Sequence, residues 1–285
     1  MNAIRLSLLT AIVALGLSVP RAVAITGGTV DKDNTFSNVG ACVYRAAQSG
    51  PNIGKPFVLF SGTLIHPRVF LTAGHCTDLY RQYPDLIPLT CISFGKDALD
   101  PKTWHDIEAV FAHPEFERHL STNPDTYDVG VIILKKPVNT RKVPVATLAY
   151  EGFLDDLKAA GLLCEPKQGG TPLAVVGYGN TLDWPPPAEV PADGLRRYVR
   201  SDYLALLPGS LFTLQNPATG NGGIAFGDSG GANFWVQPDG TLVLVAVTSQ
   251  GTPNDLSVNM AQRVDIPAVL DFIDDVIALV NAGLL

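Results

Sequence analysis

The sequence predicts an all-β protein, and three observations carry that expectation. Charged residues make up only 16% of the chain, and Gly (27) and Pro (22) are abundant. The apolar residues fall mostly in short runs closed by turn residues, not in long stripes of helical period. With 46% hydrophobic residues over 285 positions, there is enough apolar surface for one large domain or two small packed units.

In chain order, the apolar runs Gly40 to Arg45, Phe57 to Ile65, Val69 to Thr72, Thr90 to Phe94 and Val129 to Leu134 read as strands of a first barrel, spanning about 25–140. Lys135 to Gly170 holds turn residues, a helical piece at Leu154 to Ala160 and the pair Gly169-Gly170, which suits a connection between two halves. A second set, within about 165–263, contains Leu173 to Gly177, Arg197 to Tyr203 and Leu242 to Val247. The Pro-rich loop Trp184 to Pro191 and the Gly/Asn-rich loop Asn216 to Gly223 separate them. From Pro267 to about residue 282 the pattern changes: Val269, Leu270, Ile273, Val276, Ile277 and Val280 recur at helical spacing, with Asp271, Asp274 and Asp275 on the other side. A helix whose polar face carries no Lys or Arg is expected to dock on the body of the protein and not on a membrane surface. No internal repeat is visible.

Residues 1–24 read as a signal peptide, with Arg5 at its start, an apolar stretch from Leu6 to Val19, and Ala22-Val23-Ala24 as a small-x-small cleavage site. The apolar stretch is short of the roughly 20 residues that span a bilayer. The expected mature chain, 25–285, is therefore exported to the extracellular space or periplasm. The formal net charge of −7 becomes more negative once Arg5 and Arg21 are removed, which disfavours nucleic acid and anionic membranes as partners. Cys42, Cys76, Cys91 and Cys164 lie in the mature part and are expected to form disulfides, in any of three pairings. No CxxC spacing points to zinc, and Asp97, Asp100, Asp106 and Glu108 read as ordinary surface acids, so no metal and no cofactor is expected.

Three motifs carry chemistry. In Gly227-Asp228-Ser229-Gly230-Gly231, glycines around a serine permit a tight turn whose Gly227 and Ser229 N–H groups can converge on a developing oxyanion. In Leu71-Thr72-Ala73-Gly74-His75-Cys76, the imidazole of His75 titrates near working pH and can take the serine proton and pass it on. His66, His105, His113 and His119 read as structural. In Tyr127-Asp128-Val129-Gly130-Val131-Ile132-Ile133-Leu134, Asp128 abuts an apolar strand, where a carboxylate can orient the histidine. Asp125, after Asn123-Pro124, reads instead as a turn cap.

Together these motifs resemble the chymotrypsin/trypsin-like serine protease family, in which the triad runs His, Asp, Ser along the chain. The likeness extends to Ser61-Gly62-Thr63-Leu64-Ile65, His113-Pro114, Gly177-Tyr178-Gly179 and Thr248-Ser249-Gln250-Gly251. The resemblance implies two six-stranded antiparallel β-barrels with a C-terminal α-helix and a catalytic cleft between the barrels. It implies His75, Asp128 and Ser229 as catalytic residues, and the Ser249 to Gly251 strand as a substrate-pairing edge. Proteins or peptides are the expected substrates of a monomeric enzyme that needs no cofactor.

Departures from the family pattern limit what carries over. Phe60 and Ala225 stand where the family usually has cysteines, so the partner of Cys76 and the bridge that braces the specificity pocket are missing. Gly223 occupies the pocket floor where trypsin-like members place an aspartate, which disfavours a P1 arginine or lysine. Met260 aligns with a pocket wall and would narrow it, so the expected P1 residue is small or modestly apolar. Ile25 and Asp228 match the family's activating pair, a new N-terminal amine and its buried counter-charge. A non-catalytic binding homologue and an esterase using the same acyl chemistry are the competing readings.

Overall fold

The computed structural model describes residue 25 and residues 27–46, 53–116, 126–183, 188–251 and 257–285. The expected signal peptide, Asp125, His119 and residues 184–187 of the Pro-rich loop lie outside the described residues. Six strands form a first closed barrel: β1 (Val39–Tyr44), β2 (Phe57–His66), β3 (Val69–Thr72), β4 (Thr90–Ser93), β5 (Trp104–Ala112) and β6 (Gly130–Leu134). They pair in the order β1-β2-β3-β6-β5-β4, and β1 closes on β4. The second barrel uses β7 (Pro172–Gly177), β8 (Arg197–Leu206), β9 (Ser210–Leu214), β10 (Ala232–Val236), β11 (Leu242–Gly251) and β12 (Val258–Arg263). Its order is β7-β8-β9-β12-β11-β10, closed by the pairing of β10 with β7. The two barrels thus repeat one antiparallel topology although no sequence repeat marks it.

Among the described residues three α-helices accompany the strands: α1 (Gly74–Gln82), α2 (Phe153–Ala159) and α3 (Pro267–Asn281). On α3 the buried residues are Val269, Ile273, Val276 and Val280, the narrower part of the expected face. Leu270 and Ile277 are only half-buried at its edges. Among the described residues no helix is long and apolar enough to cross a membrane.

The cysteines depart from expectation, for all four are free. Adjacent strands explain one pair: Val43, not Cys42, stands opposite Cys91, and successive side chains of a strand point to opposite faces. Cys42 and Cys91 accordingly belong to different apolar clusters. Cys42 Sγ lies 3.1 Å from the Tyr80 hydroxyl, and Cys91 Sγ lies 3.7 Å from the Val43 carbonyl oxygen. Burial raises both thiols, Cys91 to about 12, which keeps them protonated and unreactive.

Candidate active site

The turn that carries His75 is shaped by contacts at its glycine. A Cβ on Gly74 would meet the Phe116 ring at 2.8 Å and the Val129 nitrogen at 3.1 Å, so only a bare Cα lets the start of α1 come down on the segment leading into β6. Thr77 closes this turn by donating to the Gly74 carbonyl at 2.9 Å. His75, in the first turn of α1, then reaches Asp128 twice. Its backbone N–H donates to Asp128 Oδ1 at 2.8 Å, and its Nδ1 lies 2.9 Å from Oδ2.

Asp128 is only 4% exposed, yet it is well provided with donors. Ser249 Oγ donates to Oδ2 at 2.6 Å, and the Asp128 backbone N–H is held by Gln262 Oε1 at 3.0 Å. Burial by itself would raise this carboxyl. The His75 hydrogen bond and charge, with the bond from Ser249, outweigh burial and hold it below the ordinary carboxylate range. Because an ionised carboxylate can only accept, Nδ1 of His75 carries the hydrogen and Nε2 is left as the base. Burial works to lower His75, but the Cys76 sulfur and then Asp128 override it and raise the imidazole above its ordinary value.

Ser229 is fixed from three sides. Its carbonyl accepts from the Ser61 N–H on β2 at 2.9 Å, and the Gly230 N–H donates to Thr248 on β11 at 2.7 Å. Gly230, in the left-handed region at φ 76°, packs so closely on Thr72 and Ala73 at the end of β3 that a Cβ would lie 2.8 Å from the Ala73 nitrogen. These ties set Ser229 against the segment that precedes His75 and against the residue that precedes Ser249. The Ser229 hydroxyl makes no hydrogen bond to His75 among the described residues; catalytic contacts of this kind commonly tighten when substrate is present.

Both candidate oxyanion donors, the N–H groups of Gly227 and Ser229, lack a protein acceptor among the described residues. Their orientation follows from neighbouring carbonyls. Phe226 O accepts from the Asn180 N–H at 2.6 Å, and in a trans peptide the Gly227 N–H then points the opposite way. Gly227 O accepts from Ser61 Oγ at 2.9 Å, which pins the next peptide. Asp228 is 1% exposed and its carboxylate accepts from Gly179 N–H at 2.7 Å and Ala225 N–H at 2.9 Å. Ile25, fully buried, packs in one cluster with Val175, Val199 and Ile224, so its side chain lies beside the residue that precedes Ala225.

Strand β12 turns Met260 and Asn259 to opposite faces. Met260 shares a face with Phe212 and Gln250, whose amide lies 3.6 Å from the Met260 sulfur, and that face is partly exposed. Alternation therefore turns the neighbouring Asn259 inward, where it stands opposite Gly251 and Thr213 with no exposed surface. Met260 thus lies on the partly exposed face of β12, and its buried neighbour Asn259 is polar. Sequence reasoning gave Ser61, at the start of the Ser61-Gly62-Thr63-Leu64-Ile65 motif, no role at the site and passed over Gln262, which sits in no motif; they hold the oxyanion loop and the Asp128 backbone.

Of the remaining histidines, His113 stacks on Tyr127 and its Nε2 meets the Ala268 carbonyl at 3.1 Å, and His66 pairs with Asn281, both structural roles. Among the described residues no group of three His, Cys, Asp or Glu side chains is arranged to hold a metal. Compared with known protein families, residues 47–273 match the family described as Trypsin. No curated protein matches the chain.

Proposed function

Because the chain belongs to the trypsin family of serine proteases, we propose that it is an exported endopeptidase in which Ser229 is the nucleophile, His75 the base and Asp128 the residue that orients it. The observation that carries this reading is the His75–Asp128 pair, 2.9 Å at Nδ1, next to a serine turn with two unpaired backbone donors. Ser229 Oγ attacks the scissile carbonyl carbon while its proton passes to His75 Nε2. The carbonyl oxygen becomes an anion held by the Gly227 and Ser229 N–H groups, each worth a few kcal/mol in such a site. His75 then protonates the leaving amine, and the acyl group remains on Ser229. Water, deprotonated by His75, attacks the acyl carbon; the imidazolium returns its proton to Ser229 Oγ, and the acid product leaves.

Cleavage after Ala24 would remove residues 1–24 and free the Ile25 amine, whose insertion toward Asp228 would order the oxyanion turn. Two features support this: Ile25 is buried beside Ile224, and a β-branched residue at φ 55° is strained as long as a peptide precedes it. At the pocket floor, Gly223 supplies no carboxylate, which favours an uncharged P1 side chain over Arg or Lys. The secreted active protein should label at Ser229 with a fluorophosphonate and should begin at Ile25 on N-terminal sequencing. Ser229→Ala should abolish labelling; a folded, active Ser229→Ala protein would overturn the reading.

A further inference from the structure

His113 lies outside the triad, yet it holds both chain neighbours of Asp128. Its backbone N–H donates to the Val129 carbonyl at 2.8 Å. Its ring stacks on Tyr127, with centroids 4.8 Å apart and an interplanar angle of 11°. Tyr127 needs such a hold, because its φ of 46° lies in the left-handed region, which a bulky residue keeps only where its surroundings impose it. Between these two residues the chain turns sharply: the Val129 N–H returns to the Tyr127 carbonyl at 2.6 Å, so Asp128 is the middle residue of a three-residue turn. The direction of its carboxylate therefore depends on how residues 127 and 129 are held.

The His113 ring is itself fixed by α3. Its Nδ1 accepts from the Glu115 N–H at 3.1 Å, so Nε2 carries the ring hydrogen and donates it to the Ala268 carbonyl at 3.1 Å. Phe272, about one turn further along α3, meets the same ring at 66° with centroids 5.2 Å apart. His113 is 6% exposed, so its ring is enclosed between the helix and Tyr127. We propose that His113 is a positioning residue for the catalytic acid: braced by the start of α3, it keeps Tyr127 in the left-handed conformation that aims the Asp128 carboxylate at His75 Nδ1. The proposal rests on the endopeptidase reading above. It gives α3 a part in turnover, because Ala268 and Phe272 reach the triad through this one ring.

Steady-state kinetics on one peptide substrate, with urea unfolding measured alongside, test this. His113→Ala should lower kcat by about 10- to 100-fold, the scale of loss that a misplacement near 1 Å can bring. KM should stay within about twofold, because what is lost is the aim of the acid and not a contact with substrate. The decisive comparison uses an Asp128→Asn background. With no carboxylate left to aim, His113→Ala should cost less than about threefold more, since residues that act through one group are not additive. Equal losses in the two backgrounds overturn the proposal, for the ring would then support the fold in general and not the acid. So does a folded His113→Ala protein with normal kcat. If His113→Ala does not fold, Tyr127→Leu removes the stacked ring from the other side and carries the same expectations and the same refutations. A wild type that a fluorophosphonate does not label at Ser229 would remove the endopeptidase reading and the positioning role with it. A labelled wild type whose kcat is indifferent to these changes removes the positioning role alone.

Discussion

A carboxylate withdrawn from water stays ionised only where donors replace its hydration, and Asp128 has three: the His75 backbone N–H, the His75 ring and Ser249 Oγ. Asp128→Asn keeps the size but presents an N–H toward Nδ1, which favours the wrong tautomer. Turnover should fall by about 10⁴, the magnitude known for the equivalent change in this family's triad and not one derived from this geometry. Near-normal turnover in a folded variant would move the orienting acid elsewhere. The raised His75 has a second consequence. Its folded value lies above the ordinary 6.5, so the His75–Asp128 ion pair stabilises the fold fully below that pH and is lost as pH climbs through the raised value. Catalysis needs the deprotonated ring, so the rising limb of kcat/KM should lie on the alkaline side of 6.5. Cys76→Ala, which removes the largest raising influence, should shift that limb toward lower pH. A rising limb unchanged in this variant would show that the sulfur has no part in setting the base.

Among the elements, legibility in the sequence followed the side chains that were buried. Val69–Thr72 and Gly130–Leu134 are buried at every position and stood out as apolar runs. Strand β5 did not, because only one of its nine residues, Ile107, is buried, and its apolar signal is weak. Strands β9, β10 and β12 were missed as runs for another reason: they bury Thr213, Asn233, Asn259 and Gln262, polar residues that read as loop in the sequence. Asn259 donates to Thr213 and Asn233 inside the barrel, and Gln262 holds the Asp128 backbone, so this buried polar chemistry was hidden for the reason its strands were. Helix α1 begins at Gly74 with no side-chain cap, which left nothing to announce it, whereas Pro267 and the apolar stripe announced α3. That stripe makes a stability prediction. Ile273 is fully buried, and Ile273→Ala should cost about 2–5 kcal/mol in urea unfolding. Asp274→Ala, on the exposed side of the same helix, should stay within about 0.5 kcal/mol. Equal losses for the two would mean that α3 is not docked through this face.

The whole molecule depends on how two barrels of like topology are joined, and a single arginine does much of that joining. Arg196 immediately precedes β8 of the second barrel and has no exposed surface. Its Nη1 donates to Val39 O at 3.0 Å and Phe94 O at 3.4 Å, both in the first barrel, and to the Tyr178 hydroxyl at 3.0 Å. Its Nε pairs with the buried Asp31 at 2.9 Å, and Nη2 bonds to Asn34. The N-terminal segment is thereby fastened between the barrels. Taking charges out of water is costly, so the pair is weak evidence of net stability, but removing one partner strands the other. Arg196→Met should therefore cost about 3–5 kcal/mol in chemical denaturation. Most of that loss would come from the abandoned Asp31 charge, so the same change made in an Asp31→Asn background should cost clearly less. If both backgrounds lose equally, the carbonyl and hydroxyl bonds of Arg196, and not its ion pair, hold the barrels together.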